Sequence, residues 1–264
     1  KWVDESKIIK TNLWSSELSK LTANAFLAQR ISSVNSISSI CEATGADIDE
    51  VSLAIGSDSR IGNKFLKAGP GFGGSCFKKD ILNLVYLCDH YGLHEVARYW
   101  QQVVSLNQWQ QKRIANLVVE KLFGTVTDKR IAIFGFAFKA NTNDTRESPA
   151  IKVCSDLIIE GAKLAIYDPK VSSESINSEL NSAEGLKYSI DNINMNWEYS
   201  KSYIDAAKGA DAIIILTEWE EFSKINWHQL AKKMRHPCWL FDLRRCIDYD
   251  YAREAGLNVW RLGC

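Results

Sequence analysis

The second half of the chain alternates short apolar runs with helical segments, and this alternation restricts the fold more than any other feature. Apolar runs at Arg130–Phe136, Leu164–Tyr167, Ala212–Leu216 and Trp239–Phe241 are typical of buried strands. A helix that begins at Pro149 separates the first two runs. Strand–helix–strand units of this kind predict an open, mostly parallel sheet covered by helices, so we expect an α/β protein.

The first half of the chain shows helical patterns without strands. Ser15 or Ser16 is predicted to cap a first helix that ends near Gly45. The region 171–199, rich in serine and asparagine, is expected to form a surface excursion. Three further helices are predicted from Asp47 to Gly56, from Lys78 to just before Gly92, and from Glu95 to Leu122.

Composition excludes several classes of protein. Lys plus Arg and Asp plus Glu both number 32, so no bulk charge indicates a nucleic acid or an anionic membrane as partner. The chain lacks both a long apolar run and the pattern of a signal peptide. Its 7 cysteines are odd in number and include no Cys-x-x-Cys pair, which argues against a disulfide framework and a zinc site. We therefore expect a cytosolic protein without a bound metal.

A glycine-rich segment, Gly69-Pro70-Gly71-Phe72-Gly73-Gly74-Ser75, directly precedes Cys76 and a predicted helix. Glycine lets backbone N–H groups approach a ligand, and helix N-termini attract anions. The segment is therefore either a phosphate site or a flexible turn between helices. Cys76 lies at the helix start beside Lys78 and Lys79, and both features favour thiolate over thiol. Cys76 is thus a candidate nucleophile.

Other polar residues near this segment have two interpretations each. Asp80, one turn beyond Cys76, either moves a proton or compensates the helix dipole. Lys20 and Asn24 are four residues apart on the first helix and face the same way, either in a site or in solvent.

Three cations follow predicted strands. Lys139, Arg146 and Arg244 lie beyond the carboxyl ends of strands, where open α/β sheets bind ligands. The alternative is that they are solvated surface groups. The segment Gly135–Lys139 departs from the Gly-x-Gly-x-x-Gly pattern, so it does not indicate a dinucleotide site.

Four segments in this order resemble the nucleotide-sugar 6-dehydrogenases, most closely the animal enzymes that act on UDP-glucose. They are Glu17-Leu18-Ser19-Lys20-Leu21-Thr22-Ala23-Asn24, Gly71-Phe72-Gly73-Gly74-Ser75-Cys76-Phe77, Gly135-Phe136-Ala137-Phe138-Lys139 and Asp144-Thr145-Arg146-Glu147-Ser148. The resemblance covers almost the whole chain. It implies an all-helical central domain over 17–123, followed by a Rossmann-like, UDP-binding domain over 129–264. Residues 1–16 would be the remnant of an N-terminal NAD-binding domain.

The resemblance implies an NAD-dependent, two-step oxidation of the sugar C6 alcohol of UDP-glucose, which supplies glucuronate for glycosaminoglycan synthesis. Cys76 would attack the intermediate aldehyde to give a thiohemiacetal, whose oxidation gives a thioester that water cleaves. Lys20 matches the lysine that stabilises the oxyanion, with Asn24 and an ordered water nearby. Asp80 matches the carboxylate that works with that water. The 264 residues alone would not turn over.

The resemblance also implies the binding residues and a self-association. Arg60 matches an arginine that reaches the neighbouring subunit's site, which implies a homodimer, and the family suggests hexamers of the intact protein. Leu243 stands where the family often has glycine. The residues that match cofactor contacts are Cys76, Phe77, Lys78, Lys79 and Arg146. Those that match substrate contacts are Lys20, Leu21, Thr22, Ala23, Asn24, Arg60, Phe65, Lys67, Ala68, Gly69, Pro70, Gly71, Phe72, Gly73, Phe138, Lys139 and Arg244.

Two alternatives remain at this point. A sister dehydrogenase would share the chemistry but act on UDP-N-acetylmannosamine or GDP-mannose. A binding or assembly module would bind the nucleotide sugar without turning it over. Titration with the three nucleotide sugars separates the first alternative. A turnover assay of the intact protein separates the second, because the 264 residues alone are expected to bind UDP without turnover.

Overall fold

A computed structural model describes residues 2–183, 186 and 196–264 of the chain. After a short 3₁₀ helix at Glu5–Lys7, the first half consists of four α-helices. α1 and α4 are long and lie against each other and against α3. The four helices are α1 (Leu13–Thr44), α2 (Ile48–Gly56), α3 (Phe77–His90) and α4 (His94–Lys121).

The second half forms a six-stranded sheet in the order β3-β2-β1-β4-β5-β6, and all of its pairings are parallel. The predicted α/β class, helices first and a parallel sheet after them, is confirmed. A 3₁₀ helix at Glu220–Lys224 follows β4. The strands are β1 (Arg130–Phe134), β2 (Lys163–Tyr167), β3 (Trp197–Tyr199), β4 (Ala212–Ile215), β5 (Trp239–Asp242) and β6 (Asn258–Arg261). The helices are α5 (Pro149–Ile159), α6 (Ser173–Ser182), α7 (Tyr203–Ala207), α8 (Trp227–Ala231) and α9 (Tyr249–Glu254).

The start of α1 differs from its prediction. Asn12, rather than Ser15 or Ser16, caps the helix, because its side-chain oxygen accepts a hydrogen bond from the Ser15 backbone N–H at 2.8 Å. Several cap-forming residues follow one another here, and only the backbone geometry selects among them. The other end is as predicted, since Gly45 terminates the helix with a φ of 79°.

The region 171–199 is more ordered than a surface excursion. α6 lies in it and buries Ile176 and Leu180, and β3 extends the sheet beside β2. The serines and asparagines of α6 are exposed or half-buried, and Ser172 caps the helix, which is why composition alone suggested a loop. The part of the prediction that falls on 184–185 and 187–195 lies outside the described residues.

The interior divides into two apolar clusters. The larger one joins the sheet to the C-terminal halves of α1 and α4, through residues such as Val34 and Ile114. The smaller one packs α3 against the N-terminal half of α1 and the first half of α4, around Ile81 and Trp100. Both long helices therefore belong to both clusters. The loop between α2 and α3 is held between them, because Ala68 belongs to the larger cluster and Phe72 to the smaller one.

None of the helices in the described part of the chain is both long and apolar enough to cross a membrane. The described residues also hold no group of three or more His, Cys, Asp or Glu side chains suited to a metal ion.

Candidate active site

Lys20, Asn24 and Asp80 form one hydrogen-bonded group, called here the Lys20 cluster. Lys20 Nζ and Asn24 Nδ2 each donate to Asp80 Oδ2 at 2.5 Å. The helical spacing of Lys20 and Asn24 on α1 aims both side chains at Asp80 in the first turn of α3. Asp80 is 4% exposed, whereas the Lys20 side chain is 64% exposed. The cluster thus presents a fixed ammonium group to solvent from a buried carboxylate.

The charges of the Lys20 cluster reinforce each other. Burial opposes ionisation of Asp80, but the hydrogen bonds from Lys20 and Asn24 outweigh it and lower the pKa of the carboxyl. The hydrogen bond to Asp80 raises the pKa of Lys20, and the nearby Cys76 sulfur adds to that rise. At neutral pH, Asp80 is therefore ionised and Lys20 is a cation.

Cys76 lies at the start of α3 with its side chain exposed. It is the N-cap residue of the helix, and within the described part of the chain no side chain caps the helix from this position. Ser75 Oγ lies 3.8 Å from its sulfur. A hydrogen bond to Asp144 raises the pKa of Arg146, and the Cys76 sulfur contributes to that shift as well. The exposed thiol therefore lies near enough to both Lys20 and Arg146 to interact with their charges.

Glycine is required at two points of the segment before Cys76. Gly71 has a φ of 122°, and a side chain there would begin 2.8 Å from Asn107 Oδ1. A Cβ at Gly73 would lie 2.5 Å from the Glu147 carbonyl oxygen. The glycines thus allow the loop to pass between α4 and the sheet edge, as a fixed bend rather than a flexible turn.

The loop after β1 holds the glycine segment from the sheet side. The Gly74 N–H donates to the Arg146 carbonyl at 2.8 Å. Lys78 Nζ donates to the Glu147 carboxylate at 2.9 Å, which ties the first turn of α3 to the same loop. Arg146 itself is exposed and pairs with Asp144 at 2.7 Å. The segment Asp144–Ser148 therefore sets the position of Cys76 relative to the sheet.

Phe138, Lys139 and Arg244 come together beside the glycine segment. The Phe138 ring covers Gly74, and Lys139 Nζ lies 5.3 Å from the centre of that ring. Arg244 Nη2 donates to the Phe138 carbonyl at 3.2 Å, and Arg244 Nε donates to the Leu216 carbonyl at 2.7 Å. These three residues, called here the Arg244 cluster, thus lie together against the glycine segment at the carboxyl edge of the sheet.

Arg244 is more buried than its position after a strand suggested. Its side chain is 15% exposed, and burial lowers the pKa of the guanidinium. Nη1 faces Gly69, since it would lie 3.5 Å from a Cβ built there. Two of its three nitrogens donate to carbonyls of the protein, and Nε also lies 3.1 Å from the Glu218 carboxylate. Arg244 is therefore held in place with Nη1 directed at the glycine segment. Leu243, fully buried, occupies the position before it.

The remaining predicted substrate residues divide by burial. Ala68, Gly69, Pro70, Gly71 and Phe72 are buried and form the base of the loop. Leu21 and Thr22 are half-buried on α1, while Ala23 and Lys67 are exposed. Phe77 is half-buried and packs edge-on against Phe72, with ring centres 5.8 Å apart. Lys79 is exposed in the first turn of α3.

Arg60 and Phe65 stand apart from this group. Arg60 pairs with Asp58 at 2.6 Å, and its side chain is 87% exposed. Phe65 has a φ of 61° and is 43% exposed. Among the described residues, neither side chain makes a hydrogen bond, ion pair or ring contact with Lys20, Cys76 or Arg244. Both side chains are exposed on the surface.

A cleft of about 670 Å³ opens behind the glycine segment. It lies between α4 and α5, and its lining includes Gly74, Lys78 and Glu147 but neither Cys76 nor Lys20. The cleft therefore adjoins the loop, and the Lys20 cluster is not part of its described lining.

The sequence analysis did not identify two kinds of residue that shape the site. Asp168 accepts hydrogen bonds from the Phe136 and Ala137 N–H groups at 2.7 and 3.0 Å, and so orients the chain that leads to Phe138. The sequence feature that could have identified Asp168 is its place directly after the buried strand β2. The second kind is a set of amide side chains inside the apolar faces of α1 and α4, namely Asn35, Asn107 and Gln110.

Comparison with protein families gives two matches. The central domain of the UDP-glucose/GDP-mannose dehydrogenase family matches residues 14–109. The UDP-binding domain of the same family matches residues 132–249. The two matches cover the helical half and the sheet that flank the site.

Individual proteins are similar over nearly the whole chain. The UDP-glucose 6-dehydrogenase of Caenorhabditis elegans is 54% identical over 262 residues, and that of Bos taurus is 57% identical over 264 residues. Each alignment covers 99% of this chain and 54% or 53% of the relative, so the chain spans about half the length of these curated relatives.

Two solved structures share the fold. A UDP-glucose dehydrogenase from Pyrobaculum islandicum superimposes with a TM-score of 0.74 at 26% identity, over 94% of this chain and 51% of that chain. A UDP-D-ManNAc dehydrogenase from Pyrococcus horikoshii gives 0.74 at 26% identity, over 96% and 53%.

Proposed function

The chain belongs to the UDP-glucose/GDP-mannose dehydrogenase family, and from this premise we propose that it carries the substrate-binding and thiol-bearing part of an NAD-dependent UDP-glucose 6-dehydrogenase. The observation that carries the proposal is the exposed Cys76 at the uncapped start of α3, beside the cation of the Lys20 cluster. The family match and the curated relatives support the substrate class.

Cys76 serves as the nucleophile for the aldehyde formed from the sugar C6 alcohol. Its thiolate adds to the carbonyl carbon, and the carbonyl oxygen becomes an oxyanion. Loss of a hydride from that carbon leaves a thioester, which water cleaves to the carboxylate and the free thiolate. Exposure of the sulfur is a requirement of this role, and the six other cysteines offer it only at Cys264.

Lys20 stabilises the oxyanion as a fixed positive charge. Because Asp80 raises the pKa of Lys20, the ammonium keeps its proton through the neutral range and does not act as a base. Asp80, ionised and bonded to Lys20 and Asn24, orients both groups. This arrangement supports electrostatic stabilisation rather than proton transfer by the lysine.

The groups near Cys76 also suit the cofactor that such a reaction requires. NAD supplies the hydride acceptor for both oxidation steps. The uncapped N-terminus of α3, the exposed Lys79, and Arg146 with its partner Asp144 would offer N–H groups and cations to a pyrophosphate. Cys76, Phe77, Lys78, Lys79 and Arg146 are the residues of this chain that would contact it. Their part is to hold the cofactor against the sulfur.

UDP-glucose would bind against the glycine segment and the Arg244 cluster of Phe138, Lys139 and Arg244. The aromatic ring of Phe138 offers a stacking surface, and Lys139 and Arg244 Nη1 offer cations for phosphate. Arg60 and Phe65, whose side chains are exposed, would serve the site of a second subunit. Self-association at the helical half is therefore part of the proposal, and sedimentation velocity measures it directly.

Binding of nucleotide sugars tests the substrate. We expect calorimetric titration of the 264-residue chain to show binding of UDP-glucose and much weaker binding of GDP-mannose and UDP-N-acetylmannosamine. Absence of UDP-glucose binding would overturn the assignment. Tighter binding of UDP-N-acetylmannosamine would reassign the protein to a sister activity.

Loss of the thiol tests the mechanism. In the protein expressed from its complete reading frame, we expect Cys76→Ser to lower turnover about a thousandfold or more, with UDP-glucose affinity retained. Cys264→Ser, which removes the other exposed thiol, serves as the control. Normal turnover by Cys76→Ser would refute the role of the cysteine.

A further inference from the structure

We propose that three buried amides, Asn35, Asn107 and Gln110, are positioning residues that hold the main chain of Gly69–Phe72 in the form that binds the nucleotide sugar. The inference rests on the proposed function for the identity of the ligand. The contacts that carry it lie wholly within this chain. Asn107 makes two of them and is the residue on which the test is built.

The glycine segment cannot hold this conformation by itself. Its glycines lose more backbone freedom on ordering than other residues, and Gly71 lies at a φ of 122°. Both polar backbone groups of Gly69 and both of Phe72 instead bond to amide side chains from α1 and α4. The loop is therefore shaped by side chains of the helical half.

Asn107 brackets Phe72 at both of its backbone polar groups. Its Oδ1 accepts from the Phe72 N–H at 2.8 Å, and its Nδ2 donates to the Phe72 carbonyl at 3.1 Å. Asn107 is 6% exposed, so both bonds are shielded from water. A Cβ at Gly71 would lie 2.8 Å from the same Oδ1, so the two bonds from Asn107 require glycine at position 71.

Gln110 holds the other end of the loop, and a neighbour fixes its orientation. Its Nε2 donates to the Gly69 carbonyl at 2.8 Å, while its Oε1 accepts from Arg113 Nε at 2.7 Å. Arg113 is in turn held by a bidentate pair with Glu42, at 2.7 and 3.0 Å. The amide can therefore offer only its NH₂ end to the loop.

Asn35 completes the set from α1. Its Oδ1 accepts from the Gly69 N–H at 2.9 Å, and the residue is 1% exposed. Its Nδ2 is buried without a partner among the described residues. Buried amides usually pair both their donor and their acceptor. Asn35 leaves its donor unpaired and still bonds Gly69, so the contact with the loop sets the orientation of this side chain.

Only a neutral group with one donor and one acceptor fits the bracket on Phe72. An ionised carboxylate keeps the bond to the N–H but sets an oxygen against the Phe72 carbonyl oxygen. A protonated carboxyl regains a donor and matches the amide in shape. Burial beside a carbonyl raises the pKa of such a carboxyl, which brings its titration into an accessible range.

The test therefore compares Asn107→Asp and Asn107→Leu in the 264-residue chain, with affinity for UDP-glucose measured by calorimetry. At about pH 8 both variants should bind about tenfold more weakly than the unmodified chain. At about pH 5.5 Asn107→Asp should regain most of its affinity, whereas Asn107→Leu should not. A purely structural role would lower the melting temperature of both variants but leave their affinity for UDP-glucose, measured well below that temperature, unchanged at both pH values.

Gln108→Glu is the matched control. It makes the same amide-to-acid exchange one residue away. The Gln108 side chain is exposed, lines the cleft and makes no hydrogen bond to the loop among the described residues. We expect it to bind UDP-glucose like the unmodified chain at both pH values. Equal binding by Asn107→Asp and the unmodified chain at about pH 8, or weak binding without recovery at lower pH, would overturn the inference.

Backbone hydrogen exchange of the unmodified chain tests the inference without any variant or ligand. The Phe72 and Gly69 N–H groups should exchange far more slowly than the N–H of half-buried Ser75, which has no hydrogen-bond partner among the described residues. Fast exchange at both positions would refute the positioning role. If UDP-glucose fails to bind while these two groups are protected, the proposed function is wrong and the amide bracket stands.

Discussion

At the scale of single residues, the pKa of Lys20 depends on two neighbours of unequal weight. The hydrogen bond to Asp80 raises it most, and the Cys76 sulfur adds a smaller rise. We expect Asp80→Asn to lower the pKa of Lys20 clearly and Cys76→Ser to lower it less. Titration of the lysine ε-carbon resonance by NMR measures both. A larger effect from Cys76→Ser would contradict this order.

The cysteines should differ in reactivity because their environments differ. Cys76 is exposed, whereas burial raises the pKa of Cys246 to about 12. Burial and a hydrogen bond to Asp47 also raise the pKa of Cys264, the other exposed thiol. Iodoacetamide at about pH 8 should therefore label Cys76 first.

Peptide mapping by mass spectrometry identifies the labelled site. A Cys76→Ser variant should lose the fast phase of labelling while the slow phases remain. Faster labelling of Cys246 than of Cys76 would show that the exposure described for these thiols is wrong.

At the scale of the elements, the turn after β1 requires glycine for two reasons that can be separated. Gly135 has a φ of 90°, and a Cβ there would lie 2.4 Å from the Thr217 Cβ. Gly124, after α4, has a φ of 79° but open space around it. We expect Gly124→Ala to cost about 1 kcal/mol of unfolding free energy through its φ alone. Gly135→Ala should cost about 1–3 kcal/mol more because of the clash.

Urea unfolding of the two variants measures both costs. The difference between the variants isolates the steric part, because the two φ values are similar. Equal costs would mean that Thr217 can move away from the sheet edge.

A charged clamp joins α2 to the chain after β5. Arg245, whose side chain is 1% exposed, donates to Asp47 at 2.8 Å and to Asp49 at 2.6 Å. Burial opposes ionisation of Asp47, but hydrogen bonds from Cys264 and Arg245 outweigh it and lower the pKa of the carboxyl. Ionised Asp47 therefore stabilises the folded chain at every pH above its ordinary value of 3.8, and the stabilisation is lost as the pH falls further.

Asp47→Asn should accordingly lower the unfolding free energy by about 1–3 kcal/mol near neutral pH, since Asp49 still pairs with Arg245. The deficit should persist down to about pH 4 and shrink below it. Thermal melts over this range test the prediction, with the exposed Glu50→Gln in the same helical turn as control. If the loss of stability already shrinks near pH 6, a group other than Asp47 is responsible for the pH dependence.

At the scale of the whole molecule, the two apolar clusters share α1 and α4. Ile114 belongs to the cluster with the sheet and Ile81 to the cluster with α3. Because both long helices run through both clusters, we expect one cooperative unfolding transition. Ile114→Ala and Ile81→Ala should each cost about 2–5 kcal/mol and shift that whole transition.

Coincident transitions by far-ultraviolet circular dichroism and tryptophan fluorescence would bear this out. A separate early transition in Ile81→Ala alone would show that the helical half unfolds independently of the sheet.

Local patterns in the sequence determined most of the elements and the centre of the site. Buried strands appear as apolar runs and helices end at glycine, so β1, β2, β4 and β5 and the ends of α1 and α2 are predictable. The glycine segment, Cys76 and its lysines are also contiguous in the chain. The short edge strands β3 and β6 escaped prediction because each is half-exposed and carries no apolar run.

Only the tertiary structure decided which groups meet. On α1 the large apolar residues Phe26 and Ile40 face outward, while Ala25, Ala28 and Ser38 are buried, since small side chains let the helices approach closely. The bond between Lys20 and Asp80 spans 60 residues, and those from Asn107 to Phe72 span 35. The sequence by itself specified local conformation through propensities and caps. The pairing of a buried polar group with a distant partner depends on packing, which no short stretch of sequence encodes.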